Sequence, residues 1–421
     1  MNTEKAILIH LSTSPQDKAE AEIQLEELQG LAQAAGAEVL DKIRQYRPEV
    51  NPKYFIGEGK VQELKSLIDS SQVSCVIFDH NLSPIQQRHL EEALQVKVLD
   101  RTQLILDIFA QRALSKEGKL QVELAQLSYL LPRLSGKGQS LSRLGGGIGT
   151  RGPGEKKLEE DRRRIKDRIA RIKKDIFSVQ RRRQEQRKSR RQFPYPTVSL
   201  VGYTNAGKTT LFNALTAENL LASPKLFATL DPTLRRISYP DGVSFLLSDT
   251  VGFIRNLPLE LISAFKATLE EVKEADCLLH VIDISSPYQR EQIAAVEKIL
   301  EEIGAVDIPI IKVFNKIDLL PPGQKMSRKI TQADNYAVYV SASHQAGLDD
   351  LKKLLRKVLF QDYQYFRVRI PIEQKHLAES FPKWCFVLQK KRVGEAIFLQ
   401  VYARHSHMIP FLPYLIQGEV N

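Results

Sequence analysis

The stretch from Val198 to Thr210 constrains this chain more than any other. An apolar run, Val198-Ser199-Leu200-Val201, leads into Gly202-Tyr203-Thr204-Asn205-Ala206-Gly207-Lys208-Thr209, which spells G-x-x-x-x-G-K-T. Leu211-Phe212-Asn213-Ala214-Leu215 follows and reads as the start of a helix. A strand, a glycine-rich turn and a helix in that order form a phosphate loop. Its glycines let the backbone turn tightly, so that successive N–H groups and the positive helix end face a bound anion. Lys208 is then placed to reach the terminal phosphates, and the Thr209 hydroxyl to ligate Mg²⁺.

Further motifs follow in the order that such a loop requires. Phe227-Ala228-Thr229-Leu230-Asp231-Pro232-Thr233 offers two threonines, Thr229 and Thr233, either of which could sense a γ-phosphate and its Mg²⁺. The apolar run Val243 to Ser248 ends in Asp249-Thr250-Val251-Gly252, a D-x-x-G. Asp249 is expected to hold Mg²⁺ through water, and the Gly252 N–H to meet the γ-phosphate. Losing that contact on hydrolysis would release the segment that follows. The run Ile308 to Phe314 ends in Asn315-Lys316-Ile317-Asp318, an N-K-x-D. A carboxylate at Asp318 accepts from guanine N1–H and the 2-amino group together, and adenine offers neither donor there. Ser341-Ala342-Ser343 closes the series with a turn whose N–H can meet guanine O6. Each motif ends a strand candidate, which predicts a GTP site along the carboxyl edge of a mainly parallel sheet. Lys208 and Gly252 are the residues expected to act on the γ-phosphate.

Phe253 follows the D-x-x-G. Small GTPases commonly carry glutamine there to orient the attacking water. A phenyl ring cannot do so, which predicts slow hydrolysis until a partner completes the site.

The charge of the chain is concentrated. It has 421 residues and a net charge of +11. Residues 155–191 hold seventeen Lys or Arg against seven Asp or Glu, so this one stretch carries an excess of ten. Leu158, Ile165, Ile169, Ile172, Ile176 and Val179 recur within it at spacings of three, four and seven, the seam of a long helix from Glu155 to about Lys188. A solvated helical face explains its early Glu and Asp, but the run Arg181-Arg182-Arg183 through Arg191 is the footprint of a polyanion partner. Just before it, residues 135–154 are too rich in glycine to pack regularly. They form either a linker or an arm that presents backbone and cations, among them Arg143 and Arg151, to RNA. Lys156 and Lys157 open the helix that follows.

Residues 1–112 alternate strand and helix signals. Ala6–Leu11, Val73–Phe78 and Val96–Leu99 read as strands. Ala19–Ala35, Val61–Ile68 and Pro84–Leu94, the last capped by Ser83, read as helices. Gly57-Glu58-Gly59-Lys60 could hold an anion at a helix start, although a plain turn explains it as well. Leu120, Leu124, Leu127 and Leu131 mark another helix, which Pro132 should kink or end. Near the C-terminus, Phe366–Ile370 and Ala396–Tyr402 read as two strands with a helix between them. The three cysteines, Cys75, Cys277 and Cys385, lie far apart in apolar runs and read as buried hydrophobes in a reducing compartment. The N-terminus lacks a signal-peptide layout and no run is long enough to span a membrane. This predicts a cytoplasmic protein and leaves peripheral membrane association open. Nothing demands an oligomer, so a monomer is expected.

Taken together these motifs resemble the HflX GTPases over nearly the full chain. The resemblance rests on Gly145-Gly146-Gly147-Ile148-Gly149-Thr150-Arg151-Gly152-Pro153-Gly154-Glu155, the phosphate loop, Phe227 to Asp231, Asp249 to Phe253, and Asn315 to Asp318. It implies a GTPase that binds the large ribosomal subunit and its rRNA, helps split or rescue stalled ribosomes, and is stimulated by them. It also implies Thr209 and Thr229 as Mg²⁺ ligands, which favours Thr229 over Thr233. The alternatives are a GTPase of ribosome assembly, or an RNA remodeller with an ATP site in its N-terminal domain. The expected architecture is α/β: an α/β domain (1–112), a helical hairpin with the glycine loop and basic helix (113–193), a GTP-binding domain (194–362) and a small α/β appendage (363–421).

Overall fold

The computed structural model describes residues 4–14, 18–134, 153–190, 195–216, 227, 233–255, 271–321 and 336–416. The chain divides into two compact units. One comprises Met1–Ser178, Ser223–Asp231 and Arg255–Lys266. The other comprises Val179–Ala222, Pro232–Ile254 and Ala267–Asn421.

The first unit opens with a four-stranded parallel sheet. Its strands are β1 (Lys5–Ser12), β2 (Glu38–Tyr46), β3 (Cys75–Phe78) and β4 (Lys97–Leu99), in the order β2-β1-β3-β4. Helices α1 (Lys18–Ala35), α2 (Glu58–Ser71) and α3 (Pro84–Leu94) make the three crossovers, and α4 (Arg101–Arg112) follows the last strand. Alternation along β1 sorts its two faces. Ile7, Ile9 and Leu11 pack in the core that holds Leu64 and Ile68 of α2 and Leu90 and Leu94 of α3. Ala6, Leu8, His10 and Ser12 point to the opposite face. Ser83 caps α3 as expected: its hydroxyl accepts from the Gln86 N–H while the Gln86 side chain accepts from the Ser83 N–H.

Two further helices follow, α5 (Lys116–Arg133) and α6 (Pro153–Arg190), the latter belonging to this unit as far as Ser178. Pro132 sits one residue before the end of α5, where it stops the helix rather than bending it. Arg168 of α6 makes a bidentate pair with Glu123 of α5 at 2.7 and 2.8 Å. Ile172 is fully buried, and Ile165, Ile169, Ile176 and Val179 are half-buried, so the seam read from the spacing is present. Arg181 is exposed on a helical turn. Arg143, Arg151 and the glycine loop lie outside the described residues, as do the side chains of Lys156, Lys157, Arg182 and Arg183.

The second unit is built on a six-stranded sheet. Its strands are β5 (Thr197–Gly202), β6 (Thr233–Ser238), β7 (Ser244–Asp249), β8 (Cys277–Asp283), β9 (Ile310–Asn315) and β10 (Ala337–Tyr339). Their order is β10-β9-β8-β5-β7-β6, parallel except for the β6–β7 pair. Helix α7 (Lys208–Thr216) follows β5. Val198, Leu200, Phe245, Leu247, Leu279, Val281, Ile311 and Val313 form the buried centre of the sheet.

A three-stranded antiparallel sheet completes the unit: β11 (Tyr363–Pro371), β12 (Phe386–Val393) and β13 (Ala396–Arg404), in the order β11-β13-β12. The strand β12 adds to the two expected from the sequence. It ends in the charged run Lys390-Lys391-Arg392 on an exposed edge, which masks its alternation. Phe360, Tyr363, Phe386 and Tyr402 share the core of the six-stranded sheet, so this small sheet is packed onto that core. No helix among the described residues is long and apolar enough to cross a membrane.

Candidate nucleotide-binding site

The strand order reverses at β5, and the glycine loop leaves from its carboxyl end. That is where ligands bind in open α/β sheets. Gly202 (φ +151°) and Gly207 (φ +93°) are each tied to their places by the space around them. A Cβ at Gly202 would stand 2.3 Å from the Val281 carbonyl oxygen, and one at Gly207 would stand 2.3 Å from the Asn315 Nδ2. The loop therefore accepts only glycine at these two positions. Asn205 between them adopts φ +61°, a left-handed conformation that asparagine tolerates.

Lys208 folds back over the loop. Its Nζ donates to the carbonyls of Gly202 at 3.1 Å and Tyr203 at 2.9 Å. Burial lowers its pKa to about 8, against the opposing pull of Asp249. Thr209 opens α7, and its hydroxyl donates to Asp249 Oδ2 at 2.9 Å. A hydroxyl and a carboxylate held this close suit a hard cation such as Mg²⁺.

Asp249 ends β7 and is fully buried. The next residues are stitched to the loop by backbone. Thr204 N–H donates to the Phe253 carbonyl at 2.8 Å, and Phe253 N–H donates to the Gly202 carbonyl at 3.0 Å, so Tyr203 and Phe253 form a parallel bridge. The Thr250 hydroxyl donates to the Leu200 carbonyl, and Val251 is buried. A Cβ at Gly252 would stand 3.0 Å from Lys208 Nζ and 2.9 Å from Thr204 Cγ2, so Gly252 brings the D-x-x-G backbone beside the lysine. The Phe253 ring is only 4% exposed.

The residues expected from the sequence to read the base gather at the ends of β9 and β10. Asn315 braces two loops. Its Nδ2 donates to the Ala206 carbonyl at 3.0 Å, and its Oδ1 accepts from the Ala342 N–H at 3.0 Å. Lys316 (φ +67°) pairs with Asp283 at the end of β8, 2.6 Å away. Ile317 N–H donates to the Val340 carbonyl. Asp318 accepts from the Ser341 hydroxyl at 2.5 Å, and the Ser343 hydroxyl lies 3.2 Å from that of Ser341. The carboxylate is thereby oriented while keeping acceptor capacity.

A family model described as a 50S ribosome-binding GTPase matches residues 197–316. Models described as GTP-binding GTPase N-terminal and GTP-binding GTPase Middle Region match residues 22–110 and 112–190. A protein from Caldanaerobacter subterraneus named GTPase HflX is 50% identical over 371 residues, covering 88% of this chain and 84% of that protein. One of the same name from Escherichia coli is 46% identical over 378 residues, covering 90% and 88%. The chain belongs to the HflX GTPase family. The solved structure of SsGBP in complex with GDP is 28% identical, covers 85% of this chain and 99% of that one, and has a TM-score of 0.49. Membership makes the chain a GTPase, with GTP and GDP bound through its GTPase domain.

The structure brings together Gly202 to Thr209, Asp249 to Gly252, Asn315 to Asp318 and Ser341 to Ser343. Ala228, Thr229, Leu230 and Asp231 lie outside the described residues. The buried ring of Phe227 packs edge-on against Phe109 of α4, with centroids 4.7 Å apart. Thr233 begins β6, in register with Asp249. Gly57 behaves as the plain turn, because its N–H donates to the Gln45 Oε1 at 2.9 Å and Lys60 pairs with Glu63. Sequence reasoning missed Asp283, the partner of Lys316, and His344, whose Nδ1 lies 3.2 Å from the Ser341 hydroxyl. Asp283 was visible as the charged end of an apolar strand. His344 carried no comparable signal.

Proposed function

We propose that this HflX-family GTPase binds the large ribosomal subunit and uses GTP binding and hydrolysis as a switch to dissociate or rescue stalled ribosomes. Phe253 carries the proposal. Its ring is buried and its backbone is committed to the bridge with Tyr203, so the position where water must be oriented offers no polar side chain. A site lacking that group turns over slowly until a partner supplies it. The family description, 50S ribosome-binding GTPase, and the cationic excess in residues 155–191 both favour a ribosomal partner. The RNA contacts in this reading are Arg143, Arg151, Lys156, Lys157, Arg181, Arg182 and Arg183.

Within the site, the N–H groups of residues 203–209 cradle the phosphates, and Lys208 leaves its carbonyl partners for the β- and γ-phosphates. Thr209, Thr229 and, through water, Asp249 would hold Mg²⁺, and the ion would neutralise charge developing on the phosphates. Gly252 N–H meets the γ-phosphate, and Asp318 reads the guanine edge while the Ala342 loop meets O6.

The test is GTP hydrolysis by the purified chain with and without large ribosomal subunits, repeated on a chain lacking residues 136–154. Strong stimulation that fades with the deletion supports the reading. Equal rates with and without subunits overturn it.

A further inference from the structure

A second polar cluster lies in the first unit, far along the sequence from the phosphate loop. It occupies the carboxyl ends of β1 and β3. In the order β2-β1-β3-β4 these are the neighbouring strands at which the winding reverses. Crevices outside such strand ends are where open parallel sheets bind ligands.

Three side chains converge there. The ligand atoms of His10, Asp79 and His80 all lie within 4.8 Å of one another. His10 Nδ1 stands 3.0 Å from Asp79 Oδ2. Two donors on one Zn²⁺ at about 2.0–2.1 Å each stand roughly 3 Å apart, so the same spacing serves an ion as well as a proton. His80 stacks beside both His10 and Phe55, with ring centroids 4.9 and 5.1 Å away.

Two observations set this cluster apart from an ordinary buried ion pair. The Nδ1 of His80 is buried without a hydrogen-bond partner, and so is the hydroxyl of Ser12, a residue only 6% exposed. Ser12 lies two residues after His10, on the same face of β1. Buried polar atoms are nearly always satisfied, and an unsatisfied one signals an unseen water or ion. Arg101 at the start of α4 holds two carboxylates here, Asp79 at 2.6 Å and Glu27.

We propose that His10, Asp79 and His80 bind a divalent transition-metal ion of the zinc class. Arg101 holds the second oxygen of Asp79, the outer-shell role that fixes a ligating carboxylate. His80 is half-buried, which leaves the ion a route in.

The test uses the untagged full-length chain, stripped with a chelator and then saturated with Mg²⁺ and GDP to close the phosphate-loop site. Zn²⁺ is titrated by calorimetry, and Co²⁺ by its visible d–d absorption. The expected result is one site per chain, lost in His80→Gln and weakened about 10- to 100-fold in Arg101→Lys. Asp249→Asn leaves it intact. His80→Gln is the decisive variant, because its Nδ1 makes no hydrogen bond on which folding depends. Its circular dichroism spectrum and melting in the absence of metal should match those of the parent. No stoichiometric binding, binding unchanged in His80→Gln, or binding lost in Asp249→Asn each overturns the proposal.

Discussion

The Thr209 hydroxyl donates to Asp249 Oδ2 across 2.9 Å, joining the first turn of α7 to the end of β7. The two oxygens proposed to serve Mg²⁺ together are already in contact. Thr209→Ala removes one of them and leaves a fully buried carboxylate short of a donor. Hydrogen bonds to charged groups contribute about 1.5–3 kcal/mol. The expected outcome is a fall of roughly ten- to a hundredfold in Mg²⁺-supported GTP turnover, measured with Mg²⁺ varied at fixed GTP.

Gly207→Ala should damage two loops at once. The new methyl group would sit 2.3 Å from the Asn315 amide nitrogen, at a φ of +93° that costs a non-glycine residue about 1–3 kcal/mol. Asn315 would lose its hold on Ala206 and, with it, on Ala342. Affinity should fall for GTP and GDP alike, and fluorescence titration with labelled nucleotides would read the loss.

Asp318→Asn tests the base reading. The amide places a donor where guanine also presents one. Losing two charge-assisted hydrogen bonds costs about 3–6 kcal/mol, roughly 10²- to 10⁴-fold in GTP affinity. Xanthine has a carbonyl in place of the 2-amino group, so xanthosine triphosphate should bind the variant better than GTP does. A variant that keeps its preference for GTP would move the base-reading role elsewhere.

Lys208 gives the nucleotide-free chain a pH dependence of defined sign. Its pKa is about 8 in the fold, below the ordinary 10.5, because burial disfavours the ammonium. Between these values the unfolded chain binds the proton and the folded chain does not, so this residue's contribution to stability rises with pH over that window. Below pH 8 both states are protonated and the full burial penalty applies. Denaturation of the parent and Lys208→Met chains, compared from pH 7 to 10, should show this rise in the parent alone. Phosphates bound beside Lys208 would favour its charged form. GTP binding near pH 8.5 should therefore take up a proton, readable by calorimetry in buffers of different ionisation enthalpy.

The nucleotide site was legible because its chemistry is local. Each motif lies at the end of a strand, and a tetrapeptide carries both the turn and the functional atom. Asp249 and Asn315 end their strands, and Asp318 follows three residues later. What escaped was set by tertiary contact. Strand β2 is an edge strand whose residues are mostly exposed, so Glu38–Tyr46 shows no apolar run. Strand β12 hides for the same reason. The pairing of Lys316 with Asp283 joins two strands 33 residues apart, and no periodicity reports such a meeting. His10, Asp79 and His80 converge only because β1 and β3 lie side by side, with 69 residues between His10 and Asp79.

The bridge between Tyr203 and Phe253 bears on how this protein's resting rate can evolve. Residue 253 is held by main-chain atoms, so its side chain is free to change without breaking the link. Yet the side chain there is nearly closed to solvent. Glutamine there would bury an amide, at a cost of about 1–3 kcal/mol if its polar atoms found no partners, before it could orient any water. A faster idle turnover therefore lies more than one substitution away. On the proposed function, the fold then acts as a ratchet that keeps consumption of GTP tied to whatever completes the site.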